Sequence, residues 1–134
     1  MKTIIINILW VVTGLIIGST VNMAIVMIGP ILIPPPEGAD MTSMDGIKAS
    51  IDLFEPKHFI FPFLAHALGT LVGAFLVAKL VTKHELAFAM AVGVLFLAGG
   101  ISNIMMLGGP MWFNALDLSI AYLPMAYLGW RLGH

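Results

Sequence analysis

The sequence predicts an all-α integral membrane protein: a transmembrane four-helix bundle with an outer-side loop that carries a short amphipathic helix. Three observations lead there. Of 134 residues, 60% are hydrophobic and only 10% charged, and the mean hydropathy is +1.03. Such a composition leaves no polar surface for a water-soluble globule. Four apolar runs, at about 4–29, 58–81, 86–107 and 111–132, are each long enough to cross a hydrocarbon layer of about 30 Å at about 1.5 Å per residue. The cations also sort to one side, since Lys2 precedes the first run, Lys79 and Lys83 bracket the turn between the second and third, and Arg131 closes the fourth. By the positive-inside rule that side is cytoplasmic, together with both termini. Residues 1–134 read as a single transmembrane domain.

The first run, 4–29, is too long for the apolar region of a signal peptide and is expected to stay in the membrane. The segment 30–57 follows as the outer loop, where Glu37, Asp40, Asp45, Asp52 and Glu55 outnumber Lys48 and Lys57. Its Pro34-Pro35-Pro36 cannot continue a helix and predicts a stiff extended strut. A short helix is expected next, capped by Ser43, with Asp45 at its positive end and Met44, Ile47, Ile51 and Phe54 on one face. That face suits either the membrane surface or the mouth of the bundle, as an amphipathic lid. Spans two and three are joined by a short basic turn, and spans three and four by the uncharged Gly108-Gly109-Pro110. Trp112 and Trp130 mark the two ends of span four, where interfacial aromatics belong. Pro62 and Pro124 are expected to interrupt spans two and four.

Gly14-xxx-Gly18 in span one and Gly69-xxx-Gly73 in span two are small-residue faces that allow backbones to approach closely. The spacing alone leaves open whether they pack within the chain or between copies.

The residues that bear on function are the polar ones at membrane depth. Counted inward from the outer ends, Asn22, His66, Asn103 and Asp117 fall about 7 to 12 Å below the interface, one on each helix. A lone carboxylate there is costly, so Asp117 is expected to be protonated, paired with His66 or open to water. A His-Asp pair titrates as a unit and is the layout of a proton, ion or small-ligand site; it equally suits a self-satisfied structural layer.

Glu55 and His58, three apart at the start of span two, have a spacing used by metal ligands; they also suit helix capping next to Pro56. Seven methionines, Met23, Met27, Met41, Met44, Met105, Met106 and Met111, fall in the outer half. They read as adaptable packing or, with imidazole, as soft ligands for Cu(I). No cofactor follows from these residues. The absence of cysteine removes disulfides and thiolate chemistry, and six basic residues with a net charge of -1 give no footprint for nucleic acid.

The stretches Phe54-Glu-Pro-Lys-His-Phe-Ile-Phe-Pro-Phe-Leu-Ala-His-Ala-Leu-Gly-Thr-Leu-Val-Gly-Ala74 and Tyr122-Leu-Pro-Met-Ala-Tyr-Leu-Gly129 resemble small bacterial four-span membrane proteins that carry no assigned activity. The resemblance implies a bacterial inner-membrane location and a four-helix bundle, and lends neither substrate nor catalytic residue. The chain is unlike the small multidrug exporters, which depend on a Glu in the first span where this one has Thr13, Gly14 and Asn22. It is also unlike the dual-topology fluoride channels, given its clear charge bias. The leading expectation is a non-enzymatic membrane protein serving as an interaction or accessory subunit, in contact with the lipid bilayer and with a protein partner or further copies of itself. A small proton-coupled transporter or channel using the His66 and Asp117 layer is the first alternative. An intramembrane enzyme acting on a lipid or quinone is the second.

Overall fold

A computed structural model describes all 134 residues; its regular structure is helix alone, 82% of the chain, without a strand. Helix α1 spans Lys2–Leu32, α2 Met44–Ser50, α3 Ile60–Leu80, α4 Glu85–Leu107, α5 Met111–Ile120 and α6 Leu123–Gly133, with 3₁₀ turns at Ile51–Leu53 and Pro56–Phe59. Three helical stretches, Lys2–Leu32, Pro56–Leu80 and Glu85–Leu107, are long and apolar enough to cross a membrane. The continuous fourth span expected at 111–132 is instead two helices, α5 and α6, of about 15 and 17 Å, with the break at Ala121–Tyr122.

The cause of the break is Pro124. It has no N–H for the carbonyl of Ile120, and its ring collides with that carbonyl in a straight helix. The chain therefore restarts, with Tyr122 at φ −115° and ψ −78° and Pro124 in the first turn of α6. Pro62 does not interrupt α3 as expected, because it falls in the helix's own first turn, where no N–H is needed. Pro30 lies inside α1 near its end, and the helix continues past it to Leu32, three residues further into the predicted loop than the apolar run suggested.

Helix α3 is the centre of the bundle and packs on α1, α4 and α6. Its buried residues are small: Ala65, Ala67, Gly69, Thr70, Gly73, Ala74, Val77 and Ala78. Large apolar side chains point outward, among them Ile16, Ile31, Met105 and Leu132. This inverted arrangement is what helices adopt in an apolar solvent, where association rests on close packing and not on hiding hydrophobic area.

The glycine faces pack within the chain. A Cβ at Gly18 would stand 2.5 Å from the carbonyl oxygen of Gly69, and one at Gly14 2.8 Å from that of Gly73; the reverse contacts are equally tight. These four glycines form one antiparallel crossing of α1 and α3. A second such face went unread in the sequence: Gly129 and Gly133 of α6 press on the carbonyls of Leu71 and Phe75, on another side of α3.

The ends of the bundle differ. At one, the termini meet the turn 81–84, where His84 takes φ 59° and the buried Asn7 amide donates to the carbonyl of Lys83 at 3.4 Å. At the other, Gly108 and Gly109 take φ 75° and 101°, conformations that favour glycine, and the Asn114 amide bridges both carbonyls. The loop 33–59 folds over this second end.

Overpacking either glycine crossing is expected to cost about 1–3 kcal/mol. Gly18→Val and Gly129→Val should both lower the unfolding midpoint in a denaturant titration of the purified protein, while Gly99→Ala, where nothing lies within 4 Å of a Cβ and the backbone is helical, should leave it unlowered.

Candidate functional site

The polar residues of the loop-end half converge. His66 of α3 and Asp117 of α5 are in direct contact, with His66 Nδ1 at 2.9 Å from Oδ1 and 3.0 Å from Oδ2. Asp117 is 2% exposed, so its charge has no water to screen it and the imidazole is its partner. A second donor completes the carboxylate: the Tyr122 hydroxyl donates to Oδ2 at 3.1 Å. The Tyr122 ring lies nearly parallel to the imidazole, with centroids 5.7 Å apart, and its hydroxyl end presses on Gly100, where a Cβ has no room.

Tyr122 was not among the sequence candidates, and spacing argues against it. Five residues on a continuous helix put side chains about 140° apart, so Asp117 and Tyr122 could not meet. The restart of the chain before Pro124 turns the tyrosine back toward the carboxylate. A proline two residues after a tyrosine in an apolar run was the available signal.

With Asp117 ionised, both of its donors are accounted for. The neutral imidazole then carries its proton on Nδ1, and Nε2 keeps a lone pair. The pair thus fixes one tautomer and offers one basic nitrogen.

These groups form the floor of a cavity of about 530 Å³ at the loop end. Asn22 of α1 and Asn103 of α4 line the same cavity, and neither side-chain amide is bonded within the chain. All four residues of the predicted polar layer therefore share one space, although only His66 and Asp117 touch. The hydroxyls of Thr13, Thr20, Thr70 and Ser119 each bond a carbonyl four residues back in their own helix and take no part.

Helix α2 is the roof. The face predicted to be amphipathic lies on the bundle mouth: Met44, Ile47, Ile51 and Phe54 all line the cavity. Ser43 caps α2 by accepting from the Gly46 N–H at 3.0 Å, as expected. Asp40 ties the roof down, since its carboxylate accepts from the hydroxyl and N–H of Thr42 and its own N–H donates to Ser50 at 2.9 Å. Beneath the floor the bundle is filled by Ala74, Val77, Ala89 and Val92, none of which has exposed surface.

Glu55 and His58 are committed elsewhere. The Glu55 N–H donates to His58 Nδ1 at 2.8 Å and the Glu55 carboxylate takes the His58 N–H, a reciprocal cap on the 3₁₀ turn that starts α3. No group of three His, Cys, Asp or Glu side chains is close enough to hold a metal ion there or anywhere in the chain. The methionines divide: Met23, Met41 and Met44 line the cavity, whereas Met27, Met105, Met106 and Met111 lie exposed on the outside of the bundle.

Comparison with known proteins returned no matching family model, no matching curated protein and no matching solved structure.

Two outcomes follow from the site's construction. Removing the imidazole in His66→Ala leaves a buried carboxylate short of its main partner and should cost about 3–5 kcal/mol, whereas Tyr122→Phe removes one bond to a charged group and should cost about 1.5–3 kcal/mol. Unfolding midpoints of the two single variants and of the double variant measure this, and a sub-additive double would show that both act through Asp117. In the roof, hydrogen bonds from Thr42, first its hydroxyl and then its N–H, hold the exposed Asp40 carboxylate below its usual 3.8. A depressed folded pKa means the contribution is present above the unfolded value and is lost as pH falls through the folded one. Protection of the Thr42 amide, its exchange rate relative to that of a free amide at the same pH, should accordingly hold down to about pH 4 and fall below it, and the Asp40→Asn variant should lack that step.

Proposed function

We propose that this chain is a non-enzymatic integral membrane protein, crossing the inner membrane of a bacterium four times, that binds a small and mostly apolar molecule in its loop-end cavity, alone or as a subunit of a larger membrane assembly. The observation that carries the reading is the cavity of about 530 Å³, with apolar walls, a buried His-Asp-Tyr floor and two unbonded amides. Concave, largely apolar spaces with a few convergent polar groups are the usual form of small-molecule sites.

For the fourth crossing, α5 and α6 together run from Met111 to Gly133, a stretch of about 34 Å if treated as one helix. For an outward-facing loop, Lys2, Lys79, Lys83 and Arg131 all belong to the opposite end. The bacterial location rests on the resemblance of the two stretches around His66 and Tyr122. A role as an assembly subunit no longer draws support from the GxxxG faces, because Gly14, Gly18, Gly69 and Gly73 are occupied by one another.

A channel or transporter needs a path to the terminal end. The layer of Ala74, Val77, Ala89 and Val92 lies across it, so access from one side favours binding over conduction. For an enzyme, the cavity offers His66, Asp117 and Tyr122 as acid–base groups and no serine, threonine, cysteine or lysine, so covalent catalysis through those four side chains has no support there.

The test is native mass spectrometry of the full-length protein released from lipid nanodiscs. A small molecule should travel with the wild type. Gly99 lines the cavity with nothing within 4 Å of a Cβ, so Gly99→Leu should keep its fold and lose most of that molecule. Equal occupancy in the Gly99→Leu protein, or a wild type that carries nothing, would overturn the reading.

A further inference from the structure

We infer that the cavity selects an apolar molecule bearing a single weakly acidic hydroxyl, and that this hydroxyl gives its proton to Nε2 of His66. The inference rests on the binding role proposed above and deepens it by naming the ligand's chemistry.

The argument proceeds by what each polar group still has to offer. Asp117 is closed off: both of its oxygens lie against Nδ1 of His66, Oδ2 also accepts from the hydroxyl of Tyr122, and at 2% exposure neither oxygen opens to a cation from the cavity. The Tyr122 hydroxyl already donates its hydrogen bond to that carboxylate, and the residue is 2% exposed. His66 has used Nδ1, and its ring, with 18% of the side chain exposed, borders the cavity with Nε2 as the remaining nitrogen. Asn22 and Asn103 each keep an unbonded NH₂ and carbonyl. The floor therefore presents one proton acceptor and neutral amide donors. That set matches a hydroxyl that becomes an oxyanion.

The surroundings exclude the other ligand classes. Of the groups that line the cavity with His66, Asn22 comes from α1, Phe96 and Asn103 from α4, Asp117 and Tyr122 from the broken fourth helix, and Met44 and Phe54 from the roof. Only Asp117 and Tyr122 among them titrate, and no Lys, Arg or Glu lines the cavity. A phosphate or other permanent anion would lack a permanent countercharge. A quaternary or primary ammonium would find no open carboxylate. A molecule that arrives neutral meets neither penalty.

The step balances. The ligand's O–H bond breaks, its electron pair stays on the oxygen, and the proton moves to Nε2. The imidazolium so formed lies between the new oxyanion and Asp117, and the amide groups of Asn22 and Asn103 donate to the oxyanion. The net charge of the occupied cavity is the same before and after transfer, which is why the step is feasible away from water.

Para-nitrophenol is a suitable probe because its phenolate absorbs visible light and its phenol does not. It is titrated against the full-length protein in lipid nanodiscs, at a pH where the free probe is mostly protonated, beside para-nitroanisole, which has the same shape and no acidic proton. The expected result is saturable appearance of the phenolate band with wild type. Para-nitroanisole should bind at least about tenfold more weakly, the value of one charge-assisted hydrogen bond. His66→Gln, whose amide can still donate to Asp117, should abolish the band while retaining its helix content, with an unfolding midpoint lowered less than that of His66→Ala, and Asn103→Leu should weaken binding without abolishing ionisation. Equal binding of the two probes, a bound probe that stays in the phenol form, or a band that persists in His66→Gln would each overturn the inference. If the bound probe stays a phenol yet is excluded by Gly99→Leu, proton transfer is wrong and the binding cavity stands. If neither probe saturates while a co-purified molecule is still found, the ligand class is wrong and the binding role survives.

Discussion

Close approach of backbones at α3 is the constraint on which the molecule depends. In an apolar solvent, helices gain nothing by hiding leucine from leucine, so they adhere where atoms come near enough for dispersion contacts to accumulate. Glycine permits this on both sides of α3: Gly14 and Gly18 against Gly73 and Gly69, and Gly129 and Gly133 against Leu71 and Phe75. With α1 and α6 so close, the middle of the bundle has room only for alanine, valine and threonine. A packed layer results, and the space that the larger residues need opens at the loop end.

That division creates the cavity's floor. The glycine crossing of α1 and α3 reaches Asn22, whose Cβ lies over Gly69, the two helices stay in contact as far as Gly29 against Phe61, and the cavity opens where His66 looks toward α4 and α5. The fourth helix follows a similar logic. Pro124 breaks it, α6 remains pressed on α3 through its glycines, and α5 is free to take the direction that brings Asp117 to the imidazole. The hydrogen-bonding loss at the break is local, whereas the gain is a tyrosine placed where helical spacing would never put it.

A buried carboxylate bonded by both an imidazole and a phenol is a strongly determined object. Each partner restricts the others: the carboxylate sets the imidazole's tautomer, the phenol fixes the carboxylate's second oxygen, and stacking of the two rings holds their separation. Such a triad is rigid, and rigidity is what a binding floor requires. The roof is of another kind, a seven-residue helix held by a serine cap and the Asp40 contacts to Thr42 and Ser50, with most of its residues exposed. Its apolar face closes the cavity with few bonds, so it is the part most easily displaced.

The sequence by itself determined the helical class, three of the long apolar helices and the Ser43-capped roof helix, and it singled out Asn22, His66, Asn103 and Asp117, which line one cavity. Those features follow from local rules: hydropathy over a window, rise per residue, capping chemistry and charge at chain turns. The tertiary structure decided what depends on the distance between helices. It placed Asp117 within 3 Å of His66, joined the glycine faces inside the chain, gave Glu55 and His58 to each other as a cap, and divided the methionines between cavity and exterior. Tyr122 shows the physical reason. Its membership in the site comes from a helix break and a neighbouring glycine on another helix, and no periodicity along a single chain encodes the azimuth of one helix against the next.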